Sequence, residues 1–157
     1  KGICGSGVVD AVACLLELEL LDETGYLEDD PAVLCGAVSL TQKDVRMIQL
    51  AKSAVCAGMR TLAHHACLRW DEVAELIVAG GFGSYLNLES AGKIGLIPEE
   101  MTGRTRAVGN ASLDGAAMML LDTALRSESE KMALGAETVD LSTDPVFMES
   151  YTEGMFF

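Results

Sequence analysis

The sequence predicts an α/β fold in which helices flank a parallel sheet. Twice along the chain, a short apolar run ends in a glycine-rich turn and continues into a helical pattern, at residues 75–83 and 105–110. Such runs are typical of buried parallel strands, and their alternation with helices favours α/β architecture. Two strands and one more expected at residues 138–141 make a thin sheet, so we expect further strands on its amino-terminal side.

The helices follow from apolar periodicity. A first helix is predicted at residues 7–21, with an apolar face of Val8, Val12, Leu15, Leu16 and Leu20. After a polar stretch and an extended segment at 37–40, Thr41 opens the longest helix, which runs to about Cys67. Asp44 is placed for a capping box there. The apolar face of this helix is expected to contain Val45, Ile48, Val55, Met59 and Leu62.

The second half of the chain adds three helical segments. One is expected at residues 87–94, and one follows Asn110 with Leu113, Ala117, Leu120, Leu121 and Leu125 on one side. The tail, residues 144–157, is predicted to form a short final helix. Its large side chains are expected to pack back on the domain, namely Phe147, Met148, Tyr151, Phe156 and Phe157.

Length and composition indicate one globular domain spanning residues 1–157. Half of the residues are hydrophobic, which is enough to form a core, and the chain holds 11 Lys and Arg against 24 Asp and Glu. The formal net charge of −13 disfavours nucleic acids and anionic membranes as partners. A small anion remains compatible with this charge, because backbone N–H groups hold phosphate locally.

The ends and the cysteines indicate the cellular context. The chain has neither an initiator Met nor a signal peptide, and no apolar run long enough to span a membrane, so we expect part of a longer cytoplasmic protein. Its five cysteines form no metal or disulfide pattern. Most are expected to be small buried hydrophobes.

The first candidate site is the segment Gly2-Ile3-Cys4-Gly5-Ser6-Gly7, directly before the first helix. Glycines let a backbone approach a ligand closely, and the helix dipole favours an anion, so Gly5, Ser6 and Gly7 are candidate nucleotide contacts. A plain tight turn is the alternative, since the spacing matches neither the dinucleotide nor the Walker pattern.

The second candidate site is the segment Ala79-Gly80-Gly81-Phe82-Gly83-Ser84-Tyr85, at the carboxyl end of a predicted parallel strand. Open α/β sheets bind ligands at this end of their strands. Three glycines in four residues exceed the need of one turn, so the pattern favours ligand contact over packing.

The third candidate segment contains Gly109, Asn110 and Gly115, and opens a helix rich in small residues. Small residues permit close helix packing, so a hinge or packing role competes there with ligand contact, and we favour packing.

Single residues give weaker signals. Lys52 has the reach to contact a nucleotide, although a lysine in such apolar surroundings more often extends to solvent. His64 and His65 are adjacent on a helix and point about 100° apart, so no metal site is predicted. The acidic run at residues 28–30 is typical of a solvated loop, and no catalytic triad or carboxylate pair is recognisable.

Four ordered blocks together resemble the carboxyl-terminal part of the reductive activators of corrinoid proteins. These blocks are GICGSGVVDAV, LTQKDVRMIQLAKSAVCAGM, LIVAGGFGSYLNLESAGKIGLIP and VGNASLDGAAMMLL, and the likeness extends from Gly2 to the final ESYTEGMFF. Such activators belong to the acetate and sugar kinase, Hsp70 and actin superfamily. The resemblance therefore implies an RNase H-like, actin-like ATPase subdomain that is incomplete on its amino-terminal side.

The resemblance also implies a function. Such activators use ATP, with Mg²⁺, to drive an electron from an iron–sulfur domain onto cobalt(II) of a corrinoid protein in a methyl-transfer system, restoring cobalt(I). AGGFG looks like the adenosine motif, which places Gly80, Gly81 and Gly83 against the nucleotide. GNASLDGAA looks like the connecting motif at the subdomain hinge, and GICGSG would border the same cleft. A homodimer is compatible with this assignment.

Two features of the family have no counterpart in this sequence. These are the phosphate-binding hairpins and the cysteines of an amino-terminal [2Fe–2S] cluster, so the chain holds about half of a nucleotide site. We expect it to be inactive alone, because phosphoryl transfer depends on positioned metal and phosphates. The alternatives are a docking module for a corrinoid protein, and part of a small-molecule kinase or of a radical dehydratase activator.

Overall fold

The structure, a computed structural model, describes residues 2–157 as an α/β arrangement of six helices and four short strands. The helices are α1 (Gly5–Glu17), α2 (Gln42–His65), α3 (Leu88–Lys93), α4 (Ala111–Leu121), α5 (Ala124–Leu134) and α6 (Pro145–Glu153). The strands are β1 (Ala32–Cys35), β2 (Val38–Leu40), β3 (Leu76–Val78) and β4 (Thr105–Ala107). Among residues 2–157, none of the helices combines the length and apolarity needed to cross a bilayer.

The strands form two separate pairs. β3 and β4 are parallel, with Leu76 opposite Thr105 and Val78 opposite Ala107, as the two strand–glycine–helix units predict. β1 and β2 form an antiparallel hairpin. β1 was not predicted, because its four residues follow directly on a polar, proline-containing stretch without a periodic signal of their own.

The prediction of a strand at residues 138–141 is wrong. Leu141–Thr143 form a 3₁₀ turn instead. The Asp140 carboxylate accepts hydrogen bonds from the backbone N–H and the hydroxyl of Ser142, at 2.9 and 2.6 Å. A side chain that captures a nearby N–H in this way favours a turn over an extended strand.

The first helix is shorter than predicted and the second has the predicted cap. α1 ends at Glu17, and Glu19 has a φ of 58°, which takes Leu20 out of the helix. At the start of α2, the Thr41 side chain accepts from the Asp44 N–H and the Asp44 carboxylate accepts from the Thr41 N–H. This capping box is the one that the sequence indicates.

The hydrophobic core lies between α1, the β1–β2 hairpin, the start of α2 and the region of α3. Its buried members from α1 are Val9, Val12, Ala13 and Leu15. The others are Leu21, Leu27, Ala32, Leu40, Val45, Leu86, Ala91, Ile94 and Ile97. The cysteines contribute little to this core, because Cys4, Cys14, Cys35 and Cys67 are exposed and Cys56 is half-buried, contrary to the expectation from sequence.

Helix α2 turns a polar face inward. Of its predicted apolar face, Val45 is buried and Ile48 and Met59 pack against the core, but Val55 and Leu62 are 51% and 54% exposed. The inward face buries instead Gln49, Lys52, Ser53 and Thr61. Burial of polar side chains requires partners, and most of these come from the carboxyl-terminal segment of the chain.

Residues 144–157, which we call the C-terminal strap, lie along α2. Gln49 donates to the Met155 carbonyl at 2.8 Å, Lys52 donates to the Phe156 carbonyl, and Ser53 donates to the Tyr151 carbonyl. The expected final helix is confirmed as α6, and Phe147 stacks on Tyr151 with ring centroids 5.7 Å apart. Met148 and Phe156 are 51% and 58% exposed, so they do not pack back as expected.

The long helix expected after Asn110 is two helices. Asp122 has an extended backbone, and its carboxylate accepts from the Ala124 N–H at 2.9 Å, which ends α4 at Leu121 and places Leu125 in α5. Neither α4 nor α5 has a buried residue, and Leu121 is 88% exposed. Within residues 2–157, α4 contacts α5 and leaves most of its surface exposed, so the packing role favoured for this small-residue helix stays a prediction.

We predict that Asp144→Ala lowers the melting temperature more than Asp144→Asn. Asp144 caps α6 by accepting from the Val146 and Phe147 N–H groups, and its other oxygen lies 2.6 Å from His65 Nε2 at the end of α2. The amide keeps a capping oxygen, whereas alanine removes it. Thermal unfolding of both variants checks this, and an equal loss would contradict it.

This aspartate also gives the strap a predictable pH dependence. The His65 contact, followed by the backbone N–H groups, holds the pKa of Asp144 below its usual range. Because the depressed value belongs to the folded state, the stabilisation is present above the ordinary aspartate pKa and is lost as the pH falls through the depressed value.

Candidate functional site

The segment Gly80-Gly81-Phe82-Gly83 follows β3 at its carboxyl end, as predicted. Gly80 has a φ of +105°, a backbone conformation that favours glycine, and Gly83 begins a 3₁₀ turn that ends at Tyr85. The Ser84 hydroxyl donates to the Gly80 carbonyl at 2.9 Å. The turn is thereby held in shape without using the N–H groups of Gly81 or Phe82.

The third glycine segment lies beside the second. The Gly80 N–H donates to the Gly109 carbonyl at 2.7 Å, immediately after the parallel strands β3 and β4 end. Gly109 has a φ of +76°, and the Asn110 side chain accepts from the Leu113 N–H at 3.3 Å as the N-cap of α4. Asn110 therefore orients the start of α4 at the glycine turn.

Phe82 of the second glycine segment contacts the first glycine segment at Gly5. A Cβ on Gly5 would lie 2.9 Å from the Phe82 ring, so this ring rests against the start of α1 and needs glycine there. The Cys4 sulfur lies 3.4 Å from the Ser6 hydroxyl. That hydroxyl, together with the Gly7 backbone, lowers the pKa of the Cys4 thiol.

We call residues 5–7, 80–84 and 109–110 the glycine cluster. Within it, a Cβ on Gly80 or Gly81 would meet nothing within 4 Å, so the backbone at these residues faces open space. The amino-terminal ends of α1 and α4 border the cluster, and each presents backbone N–H groups with the positive end of the helix dipole. Such an arrangement is suited to an anionic ligand that approaches the backbone closely.

Lys52 lies outside the glycine cluster. Its side chain is 2% exposed, so the expectation that it extends to solvent is wrong. It is held instead by the Phe156 carbonyl, with the ammonium 4.9 Å from the Phe157 ring centroid. Burial lowers the pKa of Lys52 to about 8.

The remaining residues considered from sequence lie outside the glycine cluster. Gly115 faces open space on α4, where a Cβ would meet nothing within 4 Å. The acidic run at residues 28–30 is exposed, as expected for a solvated loop. In the described part of the chain, 2–157, no group of three His, Cys, Asp or Glu side chains is placed to hold a metal ion.

Two residues of the second candidate segment, Ser84 and Tyr85, had no role predicted from the sequence. Ser84 fixes the glycine turn through its hydroxyl, and Tyr85 leaves its ring 81% exposed at the end of that turn. The signal for Ser84 was its place four residues after Gly80, the spacing at which a side chain reaches the carbonyl of the preceding turn.

The whole chain matches a known protein family. Residues 1–157 match the family described as the C-terminal domain of RACo, the ASKHA domain. A solved structure named reductive activator for corrinoid, iron–sulfur protein superposes with a TM-score of 0.86 at 30% identity, covering 98% of this chain and 28% of that one.

Two curated relatives point the same way. The corrinoid activation enzyme RamQ of Eubacterium limosum is 29% identical over all of this chain and 31% of its own length. The [Co(II) methylated amine-specific corrinoid protein] reductase of Methanosarcina barkeri is 25% identical over 96% of this chain and 28% of its own length. The chain thus spans under a third of these relatives, and it belongs to the RACo C-terminal family, the ASKHA domain.

Proposed function

We propose that this chain is the adenosine-binding, carboxyl-terminal part of an ATP-dependent reductive activator of corrinoid proteins. The observation that supports this most is the meeting of three glycine segments at the ends of β3 and β4. Open backbone at Gly80 and Gly81, next to two helix amino termini, suits a nucleotide whose sugar and phosphate approach the chain closely.

The proposed nucleotide contacts are Gly80, Gly81 and Phe82, with Gly5, Ser6 and Gly7 at the border of the same cleft. Gly83, expected as a contact, is buried against Val78 and supports the turn instead. Gly109, Asn110 and Gly115 would form the hinge. Lys52 is separate from these residues, and we do not retain it as a nucleotide contact, because its ammonium is bound to the C-terminal strap.

The other half of the site would be supplied by further parts of a longer polypeptide. Val55 and Leu62 of α2, Ile77 of β3 and Leu121 of α4 are exposed apolar side chains, and the described sheet around β3 has two strands. Parallel sheets are normally buried on both faces, so an exposed Ile77 in a two-stranded parallel pair favours a further covering element. We propose that additional strands complete an RNase H-like sheet there, which makes residues 1–157 one subdomain of a multidomain protein.

The full-length protein would bind Mg-ATP between two such subdomains and hold a [2Fe–2S] cluster elsewhere. Its partner would be the corrinoid protein of a methyl-transfer system, and its reaction the return of cobalt(II) to cobalt(I). Residues 1–157 alone should not hydrolyse ATP, because the groups that position metal and phosphates are not among them.

We predict that Gly81→Asp abolishes ATP-dependent reduction of the corrinoid by the full-length protein. A carboxylate at Gly81 would occupy the open space and repel phosphate, yet nothing in the fold obstructs it. The measurement is the absorbance change of cobalt(II) to cobalt(I) in a purified corrinoid partner, with ATP and a low-potential electron donor.

Gly103→Asp is the matched control for this variant. Gly103 also faces open space without a left-handed backbone, and it lies outside the glycine cluster. Activity in Gly103→Asp with loss in Gly81→Asp supports the proposal. Full activity in a folded Gly81→Asp protein would refute it, and would favour a docking module without a working nucleotide site.

A further inference from the structure

A cavity lies apart from the glycine cluster, beneath the C-terminal strap. It has a volume of about 830 Å³ and is walled by α2, by α3 with the turn that follows it, and by the strap. The side chains of Lys52, Cys56 and Arg60 line it from α2. They are four residues apart, so they share one face of the helix.

The inward face of α2 breaks the usual amphipathic pattern at this cavity. Lys52 is 2% exposed, whereas Val55 and Leu62 on the other side of the helix are more than half exposed. An apolar residue at position 52 would satisfy the local packing with no desolvation cost. A polar side chain at a buried position, where an apolar one would pack without this cost, often marks a functional site.

Lys52 has no counter-ion among residues 2–157. Arg60 pairs with Glu100 at 3.1 Å and Lys93 pairs with Glu17, but no carboxylate lies within 4.0 Å of the Lys52 ammonium. Its one hydrogen bond goes to the Phe156 carbonyl, and an ammonium has three N–H donors. A buried positive charge with spare donors is costly unless an anion joins it.

We propose that this cavity binds a small oxyanion, a carboxylate or a phosphate, on the Lys52 ammonium. Arg60 and Lys93 also line the cavity, but each is paired with a carboxylate, so the uncompensated positive charge at the cavity is that of Lys52. Glu89, Glu99 and Glu153 also line the cavity and repel a polyanion, which disfavours a nucleoside triphosphate relative to a small anion. The ligand is therefore a small molecule with one anionic group, bound independently of the glycine cluster.

Calorimetric titration of inorganic phosphate, and separately of acetate, into the purified protein tests this site at fixed ionic strength. Lys52→Met should lower the affinity about tenfold or more, the effect of losing a charge-assisted hydrogen bond. Lys131→Met, on α5, should bind like the wild type. Saturable binding of both anions indicates a general oxyanion site. Saturable binding of only one shows whether the site prefers a phosphate or a carboxylate.

Site-resolved alkylation provides a second readout that does not depend on any variant. Cys56 lines the cavity, and the other four cysteines are exposed elsewhere. Phosphate or acetate should slow the reaction of Cys56 with iodoacetamide several-fold and leave the others unchanged, relative to chloride. No saturable binding in the folded wild type, equal binding by Lys52→Met, or no protection of Cys56 would overturn the proposal.

Discussion

Gly83→Ala should destabilise the fold by about 1–3 kcal/mol, the usual cost of overpacking a filled site. Gly83 is buried under β3, and a Cβ there would lie 2.5 Å from Val78 Cγ1. Val78 is β-branched and sits in the strand, so it has little freedom to move aside. Chemical denaturation of the wild type and the variant measures the loss.

Gly81→Ala is the matched control, two residues earlier in the same turn. Its Cβ would meet nothing within 4 Å, and its backbone is not left-handed, so the stability should change little. Equal destabilisation by the two substitutions would show that the turn, rather than the contact with Val78, sets the cost.

Lys52→Met should stabilise the protein near neutral pH, and this gain should shrink at alkaline pH. Burial lowers the pKa of Lys52 from 10.5 to about 8. Between these values the unfolded chain binds more protons than the folded one, so the wild type gains stability as the pH rises. Over that pH window the free energy of unfolding of the wild type should rise by at most about 3 kcal/mol relative to that of the variant.

Urea denaturation of both proteins at pH 7 and pH 10 measures this difference, and Lys131→Met controls for the loss of a positive charge. Titrations common to both proteins cancel when their unfolding free energies are subtracted. A difference that stays constant with pH would contradict the account of Lys52 as a charge buried at a desolvation cost.

The parallel strands and the glycine turns were predictable from local sequence. A short apolar run that stops at Gly80 or Gly109 specifies both a strand and its end, and the Thr41–Asp44 cap specifies where α2 begins. Each of these signals lies within a few residues of the feature it determines. That the turns at Gly80 and Gly109 lie side by side follows only from the parallel pairing of β3 with β4.

The environment of Lys52 was not predictable in this way. Its partner Phe156 lies 104 residues away, and no periodicity links the two. The split between α4 and α5 likewise depends on a single carboxylate, that of Asp122, which captures the Ala124 N–H. The contact of Phe82 with Gly5 joins distant segments through one ring, which a pattern of glycines alone does not reveal.

Calorimetric titration of Mg-ATP and of ADP into the full-length protein tests the central claim most directly. Gly81→Asp and Gly103→Asp are compared with the wild type, and circular dichroism confirms that all three are folded. We predict saturable nucleotide binding in the wild type and in Gly103→Asp, and its loss in Gly81→Asp. Nucleotide binding of wild-type strength in a folded Gly81→Asp protein would contradict a nucleotide site at the glycine cluster.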